Sequence, residues 1–350
     1  MIDNQTIMIM YKRISLFLAA ALVAAACNSG HSGKTLLTGK FGEEVPAEVL
    51  VKTATVDTVI TVNGKSFTFE VPVDVVSLSA ISTDQGLLQF ISDGSKLTFD
   101  YSGETPTVTS NDPKSPTSRL NAFRDKAREI SARIRAEEDE QKGEEIYGEY
   151  LAFNKETVLA NADNFVGIAA LQNVYHELEP ADLLEVLECL SPALRENSFV
   201  QSVTKAAQSQ LSTAEGQMFT DFEIEEKPGK VTKFSDFVGQ GKYMLVDFWA
   251  SWCGPCKREM PFIAAAYEKY HGDKFDVLSV AVWDEVADTE KAAPELGIVW
   301  KQIINGQRIP TEIYGIQGIP HLILFGPDGT ILKRGLRGEA IQQELAKYLD

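Results

Sequence analysis

Hydrophobic positions along this chain change their period twice, and the changes divide it. From Thr35 to about Thr109 they fall in short runs of β type: residues 59–62 and 66–71 flank Asn63-Gly64, and residues 87–91 and 96–101 flank Asp93-Gly94. These dipeptides tolerate the positive backbone angles of tight hairpin turns, so each is expected to close a hairpin. Several short strands joined in this way predict an all-β, sandwich-like domain over residues 35–110. After a polar linker at residues 111–116 the period becomes helical, with Leu120, Phe123, Ala127, Ile130 and Ile134 on one face and Ser118 as the expected cap. Helical patterning persists to about Ala214, which predicts a helical region over residues 115–214. Within it the acidic run 137–140 marks a solvated face or bend, and Pro180 and Pro192 open later helices, the second capped by Ser191. Cys189 stands among Leu183, Leu184, Val186, Leu187 and Leu190 and is expected to be a small core residue.

Near Gly216 the helical pattern stops. An alternating strand from Asp221, a turn at Pro228-Gly229 and a second strand lead to residues 244–249, an apolar strand interrupted only by Asp247. From Pro255 the apolar residues Met260, Phe262, Ile263 and Tyr267 recur at helical spacing, and Pro261 is expected to kink that helix. Further strands are read at residues 274–282, 298–304, 321–325 and 330–334, with a helix to about Leu296 and a closing helix carrying Ile341, Leu345 and Tyr348. Residues 216–350 are therefore expected to form an α/β domain behind the β domain and the helical region.

The first residues carry a different signal. Lys12 and Arg13 precede an uncharged, mostly apolar run at residues 14–26 that ends in small residues before Cys27. Basic start, apolar middle and small-residue end are the parts of a secretory signal. The run is too short for a membrane span, which takes roughly 20 apolar residues. Residues 1–26 are thus expected to be a signal peptide, and residues 27–34, small and polar, a tether.

Composition narrows the function. At 350 residues, two or three domains are expected. A formal net charge of −17 argues against nucleic acid and against electrostatic docking on anionic lipid. Among four cysteines and four histidines only Cys253 and Cys256 form a Cys-x-x-Cys pair, so no zinc or other metal site is expected, and no cofactor motif is present. The pair stands where the strand at 244–249 gives way to the helix. There unpaired N–H groups and the helix dipole favour thiolate over thiol, as disulfide exchange requires. Cys253, at the turn, has the freer sulfur and is assigned attack. Cys256, a turn further on, is shielded and assigned resolution. Asp247, desolvated in its strand, has the raised pKa suited to accepting the Cys256 proton.

Trp252-Cys253-Gly254-Pro255-Cys256 after Val246-Asp247-Phe248-Trp249-Ala250 resembles thioredoxin. Small residues before Cys27 resemble a bacterial lipoprotein signal, which implies lipidation of Cys27. The hairpin before the core, Lys257-Arg258-Glu259-Met260-Pro261 and the long stretch 284–309 narrow the resemblance to the TlpA/ResA-like branch, extracytoplasmic and membrane-tethered. The β domain resembles in arrangement a domain of unknown function found ahead of such domains in envelope lipoproteins. Gly318-Ile319-Pro320 matches the position of the cis proline that faces the cysteines in this fold, leaving the Ile319 backbone to pair with an extended substrate. The resemblance implies a periplasmic, lipid-anchored reductase of protein disulfides fed by a membrane-borne thiol reductant. Trp252, Gly254, Pro255, Ile319 and Pro320 would contact substrate. His321, where threonine is common, is left between contacting substrate, tuning the thiolate and having no chemical task. Trp249 and Trp252 are expected on an apolar rim. Gly254-Pro255 implies a potential on the thioredoxin side, roughly −230 to −280 mV. The alternatives are an isomerase or peroxidase of the same fold, or a lipid-anchored binding or scaffold protein with accessory redox activity.

Overall fold

The computed structural model describes residues 33–73 and 76–350, so the expected signal peptide and Cys27 lie outside the described residues. The described residues divide into two compact units, one up to Thr204 and one from Lys205 to Asp350.

The first unit opens with eight strands: β1 (Gly33–Phe41), β2 (Glu48–Lys52), β3 (Asp57–Thr61), β4 (Ser66–Val73), β5 (Ser77–Thr83), β6 (Gly86–Ser92), β7 (Lys96–Tyr101) and β8 (Thr107–Ser110). They form two four-stranded sheets, ordered β4-β1-β7-β8 and β3-β2-β5-β6. Alternate residues of both sheets, among them Leu37, Val51, Val71, Ile81, Phe90 and Phe99, meet in one core, which makes the pair a sandwich. The two Gly-containing turns do not close hairpin ladders as expected. Gly64 (φ 68°) and Gly94 (φ 93°) do adopt positive angles, yet β3 to β4 and β6 to β7 are crossings from one sheet to the other. Turn chemistry fixes a reversal of direction. Pairing is decided by where each apolar face finds cover, and β4 finds it beside β1, β3 beside β2.

Crossing between sheets leaves β6 and β8 as end strands on one side of the sandwich, where bare backbone groups invite unwanted pairing. Helix α1 (Pro116–Ala136) covers them. Thr117 Oγ1 accepts from Ile91 N (3.0 Å) and donates to Ile91 O (3.3 Å), and Asn121 donates to Val108 O (2.6 Å). The cap of this helix is Ser115, whose side chain accepts from Ser118 N, and not Ser118, because Pro116 already fits the first helical turn. Its buried face is Leu120, Phe123, Ala127 and Ile130.

Helices α2 (Glu140–Ala160), α3 (Phe165–Val174), α4 (Pro180–Glu188), α5 (Pro192–Arg195) and α6 (Ser198–Ser212) follow. Cys189 is exposed, contrary to expectation. The buried positions Leu183, Val186, Leu187 and Leu190 keep a helical stripe from which Cys189 falls away, and its sulfur bonds back to Glu185 O at 3.3 Å.

The second unit has a two-stranded ribbon, β9 (Glu223–Lys227) with β10 (Lys230–Lys233), and a five-stranded sheet ordered β13-β12-β11-β14-β15. These are β11 (Tyr243–Trp249), β12 (Phe275–Ala281), β13 (Lys301–Ile303), β14 (His321–Phe325) and β15 (Ile331–Arg334). β11 runs parallel to β12 and antiparallel to β14. The helices are α7 (Gly254–Tyr270), α8 (Val286–Glu295), α9 (Ile309–Ile313) and α10 (Ala340–Leu349). β13 is shorter than the expected strand; Ile298 and Trp300, before it, pack into the core. Side chains of β11 alternate between two cores: Met244, Val246 and Phe248 enter one, and Leu245 and Trp249 enter the other with Cys253, Cys256 and Met260 of the α7 end. Asp247, between Leu245 and Trp249, is therefore on the face covered by α7. Among the described residues no helix is long and apolar enough to cross a membrane.

Candidate functional site: a dithiol turn over a buried carboxylate

β11 ends at Trp249, residues 250–252 turn, and α7 begins. Cys253 is the N-cap of α7, and its sulfur accepts a hydrogen bond from Cys256 N at 3.1 Å. The pair forms a disulfide across the first helical turn. An N-cap sulfur takes the place of the Ser or Asp oxygen that usually satisfies the free N–H groups there, so a negative charge on it is stabilised by the helix end. Cys253 is 3% exposed and Cys256 0%, so the little access there is belongs to Cys253. The Ile319–Pro320 peptide bond is cis, and Ile319 O lies 3.8 Å from Cys253 Sγ. Gly254 and Pro255 form the first turn of α7 beside the sulfur, and Trp252 is 61% exposed. Trp249, expected on the rim, is instead fully buried with its Nε1 unpartnered, because strand alternation turns it inward beneath α7.

Asp247 is fully buried. Desolvation pushes its pKa up to about 8; the Glu259 charge adds to the rise, while Arg337 and a hydrogen bond from Ser279 oppose it. The Ser279 hydroxyl stands 3.5 Å from Oδ2 and itself receives Trp300 Nε1 at 2.8 Å, whereas Oδ1 has no partner. Glu259, on α7, accepts from Gly338 N, and Arg337 donates to the carbonyl of Pro320. Two acids and an arginine thus share the ground beneath the disulfide. His321, next to the cis proline, has its pKa pushed down to about 3 by burial and by Arg334 and Arg337, so it is neutral, and its Nε2 has no partner.

A second network holds the turn from the other side. Asp284, buried, accepts from Ser251 N (2.6 Å), Ser251 Oγ (2.8 Å) and Thr289 Oγ1 (2.8 Å). Trp252 Nε1 donates to Trp283 O at 2.9 Å. Trp283 (φ 55°) and Gln307 (φ 49°) hold left-handed backbone that bulky residues rarely adopt, stabilised by Gln307 Nε2 on Asp284 O at 2.7 Å. The sequence reading singled out none of Ser279, Asp284 and Arg337 and used Glu259 only as part of a motif. Apart from Thr289, close to Asp284, the partners named here lie well away in the chain, and spacing carries no trace of them. Among the described residues no group of three or more His, Cys, Asp or Glu side chains is placed to hold a metal ion.

A disulfide at a helix N-terminus beside a cis-proline loop, on a central strand with a buried acid, defines a thioredoxin-like redox domain. Residues 216–334 match the AhpC/TSA family. The chain is 26% identical over 168 residues to the thiol-disulfide oxidoreductase ResA of Geobacillus thermodenitrificans, covering 48% of this chain and 90% of that protein. With the ResA of Bacillus subtilis it shares 26% over 122 residues, 35% of this chain and 67% of that protein. Similar solved structures include the thioredoxin domain of a thiol-disulfide oxidoreductase from Bacteroides vulgatus, at 29% identity, 39% of this chain, 99% of that chain and a TM-score of 0.35. Another is a thiol:disulfide interchange protein from a Bacteroides species, at 30% identity, 39% of this chain, 91% of that chain and a TM-score of 0.36. The enzyme class is thiol-disulfide oxidoreductase.

Proposed function

We propose that this protein is a periplasm-facing oxidoreductase, lipid-anchored through Cys27, that reduces disulfides in protein substrates and is recharged by a membrane-borne thiol reductant. The observation that carries the reading is Cys253 at the N-cap of α7, its sulfur 3.1 Å from Cys256 N and 3.8 Å from the carbonyl of Ile319. The Cys253 thiolate attacks one sulfur of a substrate disulfide. That S–S bond breaks, a substrate thiolate leaves, and a Cys253–substrate disulfide forms. Cys256 then loses its proton to Asp247, attacks Cys253 Sγ and expels the second substrate thiolate, so that two electrons have passed to the substrate. With a pKa of about 8 the group is mostly protonated at pH 7, so its ionised fraction accepts the proton and resolution should quicken as pH rises toward 8. The substrate lies extended along Ile319 and Pro320, with Trp252, Gly254 and Pro255 as the opposite wall.

Trapping tests the order of events. Cys256→Ser should accumulate a mixed disulfide with protein substrates, and Cys253→Ser should trap none and reduce nothing. Equal trapping by the two variants would reverse or remove the assignment. Mass spectrometry of the mature chain checks the anchor: acyl groups on an N-terminal Cys27 are expected.

A further inference from the structure

The first unit contains a cavity of about 670 Å³ that the redox chemistry does not use. Its walls are β6 at residues 87–89, the approach to β8 and β8 itself at residues 105–109, and the helices α1, α2 and α3. It lies beside the end strands that α1 covers, and its size is that of a pocket for a small organic ligand.

Its polar lining is unusual. Arg124 reaches into it from α1, half-buried, and its guanidinium donates to the side chain of Gln89 and, at 3.5 Å, to Gln89 O. Both are neutral acceptors. Among the described residues Arg124 enters no ion pair. The acid in the lining, Asp125, is already paired with Arg128, which also lines the cavity. Even a half-buried guanidinium without a counter-charge is costly, since burial disfavours its charged form. Burial and the neighbouring Arg128 pull the Arg124 pKa down to about 10, so it nevertheless remains charged at neutral pH. Around it stand the side-chain amides of Asn121, Gln172 and Asn173, and between them apolar surface from Leu87, Val108 and Ala127. Asn121 is committed to Val108 O and Asn173 to Asn154, while Gln172 has no partner among the hydrogen bonds of the described residues.

From this arrangement we propose that the cavity is a binding site for a short apolar peptide-like carboxylate, its carboxylate paired with Arg124 and an amide of its backbone with the side chain of Gln172. A guanidinium presents two parallel N–H groups that match a carboxylate, and a side-chain amide matches a peptide group. Apolar walls take the side chains. The site belongs to the first unit, uses none of the redox residues, and stands whether or not the direction of electron flow proposed above is right.

Calorimetric titration of the full chain with N-acetyl-Leu-Leu as the free acid, and with its C-terminal amide, tests this without a variant. The acid should bind saturably and the amide about tenfold more weakly or worse, in line with hydrogen bonds to a charged group. Absence of heat with the acid, or equal affinity for acid and amide, overturns the proposal. Arg124→Gln should lose the preference for the acid and Arg124→Lys should keep part of it. Should either variant misfold, the acid-against-amide comparison on the unaltered protein still decides. Binding that persists unchanged in a Cys253→Ser and Cys256→Ser double variant assigns the ligand to this cavity; its loss there would move the ligand to the redox turn and overturn the proposal.

Discussion

In the first unit, polar side chains that α1 turns toward the sandwich find backbone partners: Thr117 serves both groups of Ile91, and Asn121 takes the carbonyl of Val108. In the second unit, Asp247 Oδ1, Trp249 Nε1 and His321 Nε2 are buried around the dithiol turn with no partner. The first unit has such atoms too, Ser95 Oγ and Tyr101 OH, but burial raises the tyrosine pKa and both groups stay neutral. Burying a hydroxyl costs far less than burying a carboxylate. One unit therefore uses buried polarity to close open strand edges. The other keeps an acid in surroundings that disfavour its charge, which lowers stability at high pH.

The largest effect that would break this comparison is at Asp247. Its pKa is 3.8 by default and about 8 here, so the folded state holds a proton between about pH 4 and pH 8 that the unfolded state has released. Stability from this group is complete below about pH 4 and is lost as pH rises toward 8, on the order of 5 kcal/mol at about 1.4 kcal/mol per pH unit. His321 acts in the opposite sense. Its pKa falls from 6.5 to about 3, so its contribution is present above about pH 6.5 and is lost as pH falls through that range. The two slopes offset below pH 6.5, and the decline should emerge between pH 6.5 and 8. All four tryptophans, Trp249, Trp252, Trp283 and Trp300, lie in the second unit, so urea unfolding followed by tryptophan fluorescence reports on it. Asp247→Asn should flatten the decline and raise the urea midpoint at pH 8.5, while slowing resolution of the mixed disulfide more than initial attack. A variant with the same pH slope as the unaltered protein would show that the acid is not protonated in the folded state.

Asp284 should have the next largest effect. Its carboxylate receives three hydrogen bonds from Ser251 and Thr289, and Asp284→Ala would leave those donors without it. A loss of about 3 kcal/mol is expected by the same fluorescence assay. Because Ser251 begins the turn into Cys253, attack on a model disulfide should slow as well. Asp284→Asn keeps acceptor oxygen and shape and should recover part of both losses; recovery of neither would mean that the charge and not the geometry matters.

Within the first unit, Thr117→Val leaves the N–H and C=O of Ile91 buried and unpaired, at an expected cost of about 2 kcal/mol. Far-UV circular dichroism in urea measures it, and disulfide reduction should be unchanged. A loss of reduction equal to that of Asp284→Ala would erase the contrast between a unit built for closure and one built for exchange.

What was legible in the sequence follows the same division. The dithiol turn could be read because strand, cysteines and helix are contiguous, and Asp247 because a lone acid interrupts an apolar strand. The cis-proline loop, some sixty residues on, came only with the family likeness. Glu259, Asp284 and Arg337 escaped because exposed and buried charges look alike in a polar segment, and only the folded chain brings Arg337 to the carbonyl of Pro320. In the sandwich, Asn63-Gly64 and Asp93-Gly94 revealed where the chain reverses but not which strand it meets next, since pairing depends on β1 and β2, far from either turn. Cys189 went wrong because apolar neighbours in sequence are spread around a helix, and two residues' displacement from the buried stripe is enough to reach solvent.

The smallest expected effect concerns the start of α1, where sequence and structure name different caps. Ser115 Oγ accepts from Ser118 N at 3.1 Å, whereas Ser118 Oγ donates to Asp112 O at 2.8 Å and so anchors the preceding turn. Ser115→Ala should cost about 1 kcal/mol, the usual loss on removing a side-chain cap, and should speed hydrogen exchange at the Ser118 amide first. Ser118→Ala removes no cap acceptor and should leave the exchange of that first turn closer to its original rate. The reverse order of the two variants would restore Ser118 as the cap and shift the helix start by one turn. The proline at position 116 argues against that shift, because its fixed φ and missing N–H fit the first turn and are wasted outside it.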